Sequence, residues 1–210
     1  MKKKALASVL STMALGASLA TLPATPASAA TGTRSLATVL AADGHHFDHS
    51  WGDFDILDKA VSTVLTAKPN SPVKVLADGN TRLTAFLPTD RAFRRLVVAL
   101  TGHRPHTERG TFRMLAKAAG VDTIEQVLLY HVVPGATVTY AQARKADGAE
   151  LTTAQGGTVT VDVRRGGRVF LRDADRNAAN PRVLQRLSDI NQGNKQIAHG
   201  INRVLRPVDL

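Results

Sequence analysis

The chain has 210 residues, 27 Lys and Arg against 17 Asp and Glu, a formal charge of +10, and no cysteine. The absence of cysteine excludes a disulfide framework and a lipid-modified N-terminal cysteine. Aromatic residues make up 4% of the chain, too few for a surface that stacks successive bases of single-stranded nucleic acid. The basic balance points to anionic partners: wall polymers, extracellular DNA or acidic polysaccharide.

Met1–Ala29 reads as a secretory signal. Lys2, Lys3 and Lys4 form a positive start, Ala5–Leu22 is mostly apolar, and Ala27-Ser28-Ala29 predicts cleavage between Ala29 and Ala30. An uncleaved membrane anchor is the competing reading. The small residues Ser8, Gly16 and Ser18 and the cleavage site argue against it. Removing the three lysines leaves +7 on about 180 residues, enough chain for one core. The expected product is extracellular or wall-associated, with no transmembrane segment in its mature form. The ending Arg206-Pro207-Val208-Asp209-Leu210 has no sorting signal, so retention at a wall would be non-covalent.

Ser35–Leu40 predicts a short helix. His45, His46 and His49 with Asp48 could be drawn as a metal site, but Gly44 disfavours a helix there, and a polar loop is the expectation. Ile56, Leu57, Ala60, Val61, Val64 and Leu65 form the stripe of a helix starting at Asp55 and ending before Pro69. Ser71 and Lys74 have S-x-x-K spacing, but no companion motif follows. Val73, Val75 and Leu76 suggest a short strand or buried turn.

Leu83–Phe93, LTAFLPTDRAF, is the most informative stretch. Leu83, Ala85 and Leu87 alternate with Thr84 and Phe86, so apolar groups fall on both faces, as in a strand covered on both sides. Pro88 stops the strand. Thr89 is the expected side-chain cap of the next helix, and Asp90 suits its positive end. Phe93, Leu96, Val97 and Leu100 share one helix face, and Arg91, Arg94 and Arg95 leave it.

Phe112, Leu115, Ala116 and Ala119 mark another helix, closed by Gly120. A third, capped by Asp122 or Thr123, carries Ile124, Val127 and Leu128 into LLYHVVPGATV. There Val132 and Val133 favour a strand, and Pro134-Gly135 a turn. Val159, Val161 and Val163 alternate with polar residues. Arg165-Gly166-Gly167 then reads as a hairpin returning through Val169, Phe170 and Leu171. Asp173, Asp175 and Asn177 imitate the start of an EF-hand loop, but Ala178 and Leu184 occupy its sixth and twelfth positions, so that calcium motif fails. Pro181–Leu187 suggests a short helix.

Three stretches together resemble the fasciclin domain. The first is Thr84, Phe86, Pro88, Thr89, Asp90, Ala92 and Phe93. The second is the Tyr-His signature through Tyr130, His131, Val132, Val133, Pro134 and Gly135. The third runs from His199 through Ile201, Val204, Leu205 and Pro207. In this last stretch Lys195, Gly200 and Asn202 depart from the usual pattern. The resemblance covers Ser35–Leu210 and implies one fasciclin domain over residues 35–210, after a signal peptide (1–29) and a short tail (30–34). It implies an α+β fold, a wedge or sandwich of two β-sheets with several packed helices. It also implies that the motif residues are structural, with His131 a hydrogen-bonding residue near the core.

His131 has no nucleophile or carboxylate partner at a readable spacing, and the chain has neither a phosphate loop nor a nucleophile elbow. The expected function is a non-enzymatic adhesion or matrix-interaction module without a cofactor. Its partner would be an extracellular or cell-surface macromolecule such as an anionic wall polymer or polysaccharide. A carrier of a small hydrophobic or lipid-like ligand is the alternative.

Overall fold

The computed structural model describes residues 32–208; the expected signal segment and its Ala29–Ala30 junction lie outside the described residues. Four helices come largely first: α1 (Leu36–Leu40), α2 (Asp55–Ala67), α3 (Asp90–Thr101) and α4 (Glu108–Tyr130), with a short α5 (Tyr140–Ala143) later. The strands are β1 (Leu83–Pro88), β2 (Val132–Pro134), β3 (Glu150–Thr152), β4 (Thr158–Arg164), β5 (Arg168–Arg172) and β6 (Gln196–Ile201). They form two three-stranded sheets, ordered β2-β1-β6 and β3-β4-β5. This is an α+β fold with helices and two small sheets.

β1 organises the molecule. All six of its residues are buried. It pairs antiparallel with β2 and parallel with β6, Leu83 opposite Gln196 and Pro88 opposite Ile201. Successive side chains point to opposite faces of a strand. Leu83, Ala85 and Leu87 therefore join the core built by α1, α2, α3 and α4. Phe86 joins a second core with Val133 and Ile201 of its own sheet and Val159, Val161, Val169 and Leu171 of the other. The double-sided apolar pattern of LTAFLP is the trace of these two cores.

β4 and β5 form the expected hairpin, with Arg164 opposite Arg168 and Val161 opposite Leu171. Gly166 and Gly167 both take positive φ in its turn. The helix expected to close at Gly120 and its successor both form, as the two halves of α4, interrupted where Gly120 adopts the non-helical φ 70° and ψ 169°. The free edge of β6 is covered by the 183–190 segment, which bridges Val183 to Ile201 and Ile190 to Ala198. This blunts an edge that would otherwise invite pairing between chains.

Of the strand or buried turn expected at 73–76, the turn forms, as a 3₁₀ helix over Pro72–Ala77 capped by Ser71 with Val73 and Leu76 buried. Several local expectations are corrected. Only Gln185–Leu187 of the expected 181–187 helix forms a helical turn. Arg182 and Val183 are drawn into bridges with Phe170 and Ile201 instead. Leu100 is 45% exposed rather than packed, because it lies in the last turn of α3. Thr89 is the N-cap residue of α3, but its side chain makes no capping hydrogen bond.

Candidate functional site

The motif residues fall in and around the two cores. Thr84 Oγ1 donates to the Ala136 carbonyl at 2.8 Å and accepts the Val138 amide at 2.9 Å, tying β1 to the loop after β2. Tyr130 is buried and donates its hydroxyl to the Thr158 carbonyl at 2.8 Å, linking α4 to the second sheet. Pro134 is exposed at the end of β2. Gly135 takes φ 85° and donates its amide to the Arg82 carbonyl. Val204 and Leu205 are buried, one in each core, and Pro207 is half-buried beyond them.

His131 and His199 are both buried and both bridge backbone groups. His131 Nδ1 lies 2.7 Å from the Val127 carbonyl, and Nε2 accepts the Leu205 amide at 2.9 Å. A nitrogen facing a carbonyl must carry hydrogen, and one facing an N–H must accept. The ring is therefore a neutral Nδ1–H tautomer, and burial pulls its pKa down to about 4. His199 is the mirror case. Nε2 faces the Val138 carbonyl at 2.8 Å, and Nδ1 accepts the Asp189 amide at 3.3 Å. Burial lowers its pKa as well. Both sides of each ring are used by the backbone, so neither imidazole is available to move a substrate proton.

An apolar cleft of about 70 Å³ opens beside His131. Ile56, Phe93, Phe112, Leu115, Val127 and Leu128 are among its walls, and no hydroxyl, thiol or carboxylate lines it. Phe93 is thus both a core residue and a wall of this cleft.

A second feature is cationic. Arg91, Arg94 and Arg95 on α3 lie near Arg104, Arg182 and Arg203. Burial lowers the pKa of Arg95, followed by repulsion from Arg203, Arg91 and Arg182. Arg94 is lowered by burial and then by Arg104 and Arg91. Among the described residues none of these six arginines forms a salt bridge. Arg94 stacks on Trp51 at 4.3 Å, and Arg95 donates to the Asn202 carbonyl at 2.8 Å. Arg91 and Arg104 are exposed. The arginines of the β4–β5 turn are more engaged, for Arg164 pairs with Asp162 at 2.9 Å and covers Phe170.

The two metal arrangements weighed from sequence do not assemble. His45 Nδ1 meets Asp58 Oδ2 at 2.5 Å, whereas His46 Nδ1 turns to the Gly44 carbonyl. His49 offers its backbone amide to Glu108. Asp173 accepts the Arg206 amide, and burial pushes its pKa up to about 6. Asp175 accepts the amides of Asn177 and Ala178 and pairs with Arg206 at 2.7 Å. A cluster that sequence spacing does not reveal is Asp53, Asp90 and Glu108. One carboxylate oxygen from each lies within 4.8 Å of the other two. Burial, then the hydrogen bond with Asp53, pushes Asp90 up to about 9. Burial also raises Glu108. The one readable signal was that each acid stands at or just before a helix start.

No helix among the described residues is long and apolar enough to cross a membrane. Comparison with curated proteins returns no match. Among solved structures, the chain is similar to a FAS1 domain pair from the insect cell adhesion molecule Fasciclin I, at 16% identity and a TM-score of 0.48. That match covers 72% of this chain and 47% of the other, so the chain spans about half the length of that structure. The fasciclin domain model matches residues 59–207, a span holding all three signature stretches. Fasciclin domains are typically extracellular or cell-surface modules of adhesion type and generally non-enzymatic. With well over half its length matched, the chain belongs to the fasciclin domain family.

Proposed function

We propose that the chain is a secreted, non-enzymatic adhesion module whose mature part is one domain over residues 35–210. It binds an anionic extracellular polymer through the arginine face of α3 and the 182–203 segment. The observation that carries this reading is the convergence of six arginines without a salt bridge among the described residues. Like charges held together cost stability, and an anionic chain relieves that repulsion. An exposed ion pair contributes roughly 0.2–1 kcal/mol and weakens as salt screens it.

The test is retention of the purified chain on a sulfated-polysaccharide column. Changing Arg91, Arg104 and Arg203 together to Ser spares Arg94 and Arg95, whose side chains stack or bond within the fold. Three lost pairs cost roughly 0.6–3 kcal/mol, so the variant elutes at lower salt. Equal elution of the two proteins, or no retention of either at low salt, refutes the reading.

The apolar cleft favours a second reading, a carrier of a small hydrophobic ligand. Its volume of about 70 Å³ is well below the several hundred Å³ usual for ligand sites. It suits a small apolar group and not a whole lipid, which places adhesion first. Native mass spectrometry of the secreted protein separates the two, since a carrier retains added mass and an adhesion module flies at its bare mass.

A further inference from the structure

Three helices start at one point. Asp53 ends the loop before α2, Asp90 opens α3 and Glu108 opens α4. Asp90 is 0% exposed and Glu108 1%. One oxygen of each is already used, for Asp90 Oδ1 accepts the Ile56 amide at 2.9 Å and Glu108 Oε2 accepts the His49 amide at 3.0 Å. The opposite oxygens, Asp90 Oδ2 and Glu108 Oε1, are buried and receive no N–H donor, and the same holds for Asp53 Oδ1; the hydrogen bond between Asp53 and Asp90 requires a proton held between two carboxylates. Among the described residues no Lys, Arg or His pairs with any of the three.

Buried carboxylates that face one another either hold protons or take a counter-charge. The N-terminus of α2 supplies partial positive charge, but its Ile56 amide and the loop amide of His49 meet the other oxygens. A cation at the centre would meet one carboxylate oxygen of each of the three acids. The donor set is oxygen only, which suits a hard ion, and Ca²⁺ takes carboxylate oxygens at about 2.4 Å. One such ion reaches oxygens up to about 4.8 Å apart, and one oxygen of each acid lies within that reach of the other two. Asp53 is also shared with a second carboxylate group, Asp48 and Asp55, of which Asp48 is exposed. That group gives an ion an acidic route in from solvent.

We propose that Asp53, Asp90 and Glu108 form a calcium site that fastens the starts of α2, α3 and α4 together. Water and a further oxygen of the 48–55 loop complete its shell.

The single tryptophan of the chain, Trp51, stands two residues from Asp53 and makes the site testable with Tb³⁺. The full chain, stripped with chelator, is titrated with Tb³⁺ at neutral pH under excitation of Trp51. The expected result is sensitised emission saturating at one ion per chain and displaced by Ca²⁺, with a rise in melting temperature in millimolar Ca²⁺. Asp53→Asn and Glu108→Gln each weaken Tb³⁺ binding at least tenfold, and neither lowers the melting temperature in chelator by more than a few degrees. The proposal is overturned if the wild-type chain shows no saturable emission and melts alike in Ca²⁺ and chelator, for then protons alone neutralise the cluster. Emission unchanged in both variants overturns it too, since the ion then sits elsewhere.

Discussion

Replacing His131 by Phe keeps a ring of similar shape and removes both of its backbone bridges. The Val127 carbonyl depends on this ring because the His131 amide caps α4 by turning to Leu128 and Leu129. The Leu205 amide is equally buried, and Leu205 is 0% exposed. Each backbone group left unpaired costs about 1–3 kcal/mol, so the variant loses roughly 2–6 kcal/mol. At about 2–4 °C per kcal/mol for a domain of this size, melting falls by about 4–24 °C. The loss also depends on pH, with a definite sign. The unfolded imidazole takes its proton near 6.5 and the folded one only at about 4. Between those values the unfolded state binds more protons, so wild-type stability falls as pH drops. At 1.36 kcal/mol per pKa unit this component is about 3 kcal/mol, and His131→Phe lacks it. Acidification affects His199, Asp90 and Asp173 in both proteins alike, so their contributions cancel in the difference. Urea unfolding of both proteins at pH 7 and pH 4 reads the effect, and the gap between them should narrow by about 3 kcal/mol. A gap independent of pH, or a loss below 1 kcal/mol at pH 7, refutes the neutral bridging role.

Gln196 is 0% exposed, accepts the Leu36 amide and donates to the carbonyls of Val75 and Asp78. Gln196→Met therefore strands the buried Leu36 amide, while the Val75 and Asp78 carbonyls keep the Asp78 and Thr81 amides as donors, and it destabilises by about 1–3 kcal/mol in denaturant titration. Asp175→Ala leaves Arg206 charged and mostly buried, with two amides unpaired, a loss of about 3–5 kcal/mol by thermal melting. Gly200→Ala places a Cβ 2.6 Å from the Leu187 Cβ, so it displaces the 183–190 cover of β6 and lowers the melting temperature by several degrees. N-terminal sequencing of protein recovered from culture medium should start at Ala30.

Patterns set by neighbours in the chain were readable. LTAFLPTDRAF showed a strand apolar on both faces because two cores press on it, and the Val159–Leu171 hairpin showed in its alternation and glycine pair. Gly120 marked the bend in α4 because φ 70° suits a residue without a Cβ. What depended on the path of the chain was not readable. Thr89 looked like a cap, yet the Asp90 carboxylate reaches the Ile56 amide of another helix. Spacing could not place Asp53, Asp90 and Glu108 together, because three separate loops bring them to one point. The arginines looked dispersed for the same reason, since the parallel β1–β6 pairing brings the 182–203 segment, distant in sequence, up to α3.

That pairing also governs when the molecule can form. β1 leaves the ribosome early, but the strand it needs on one side is made more than a hundred residues later. Contacts so distant along the chain slow folding. A nascent chain stopped before Gln196 would have its helices but an unfinished central sheet. It would stay loose and easily digested until the last strand locks the body shut.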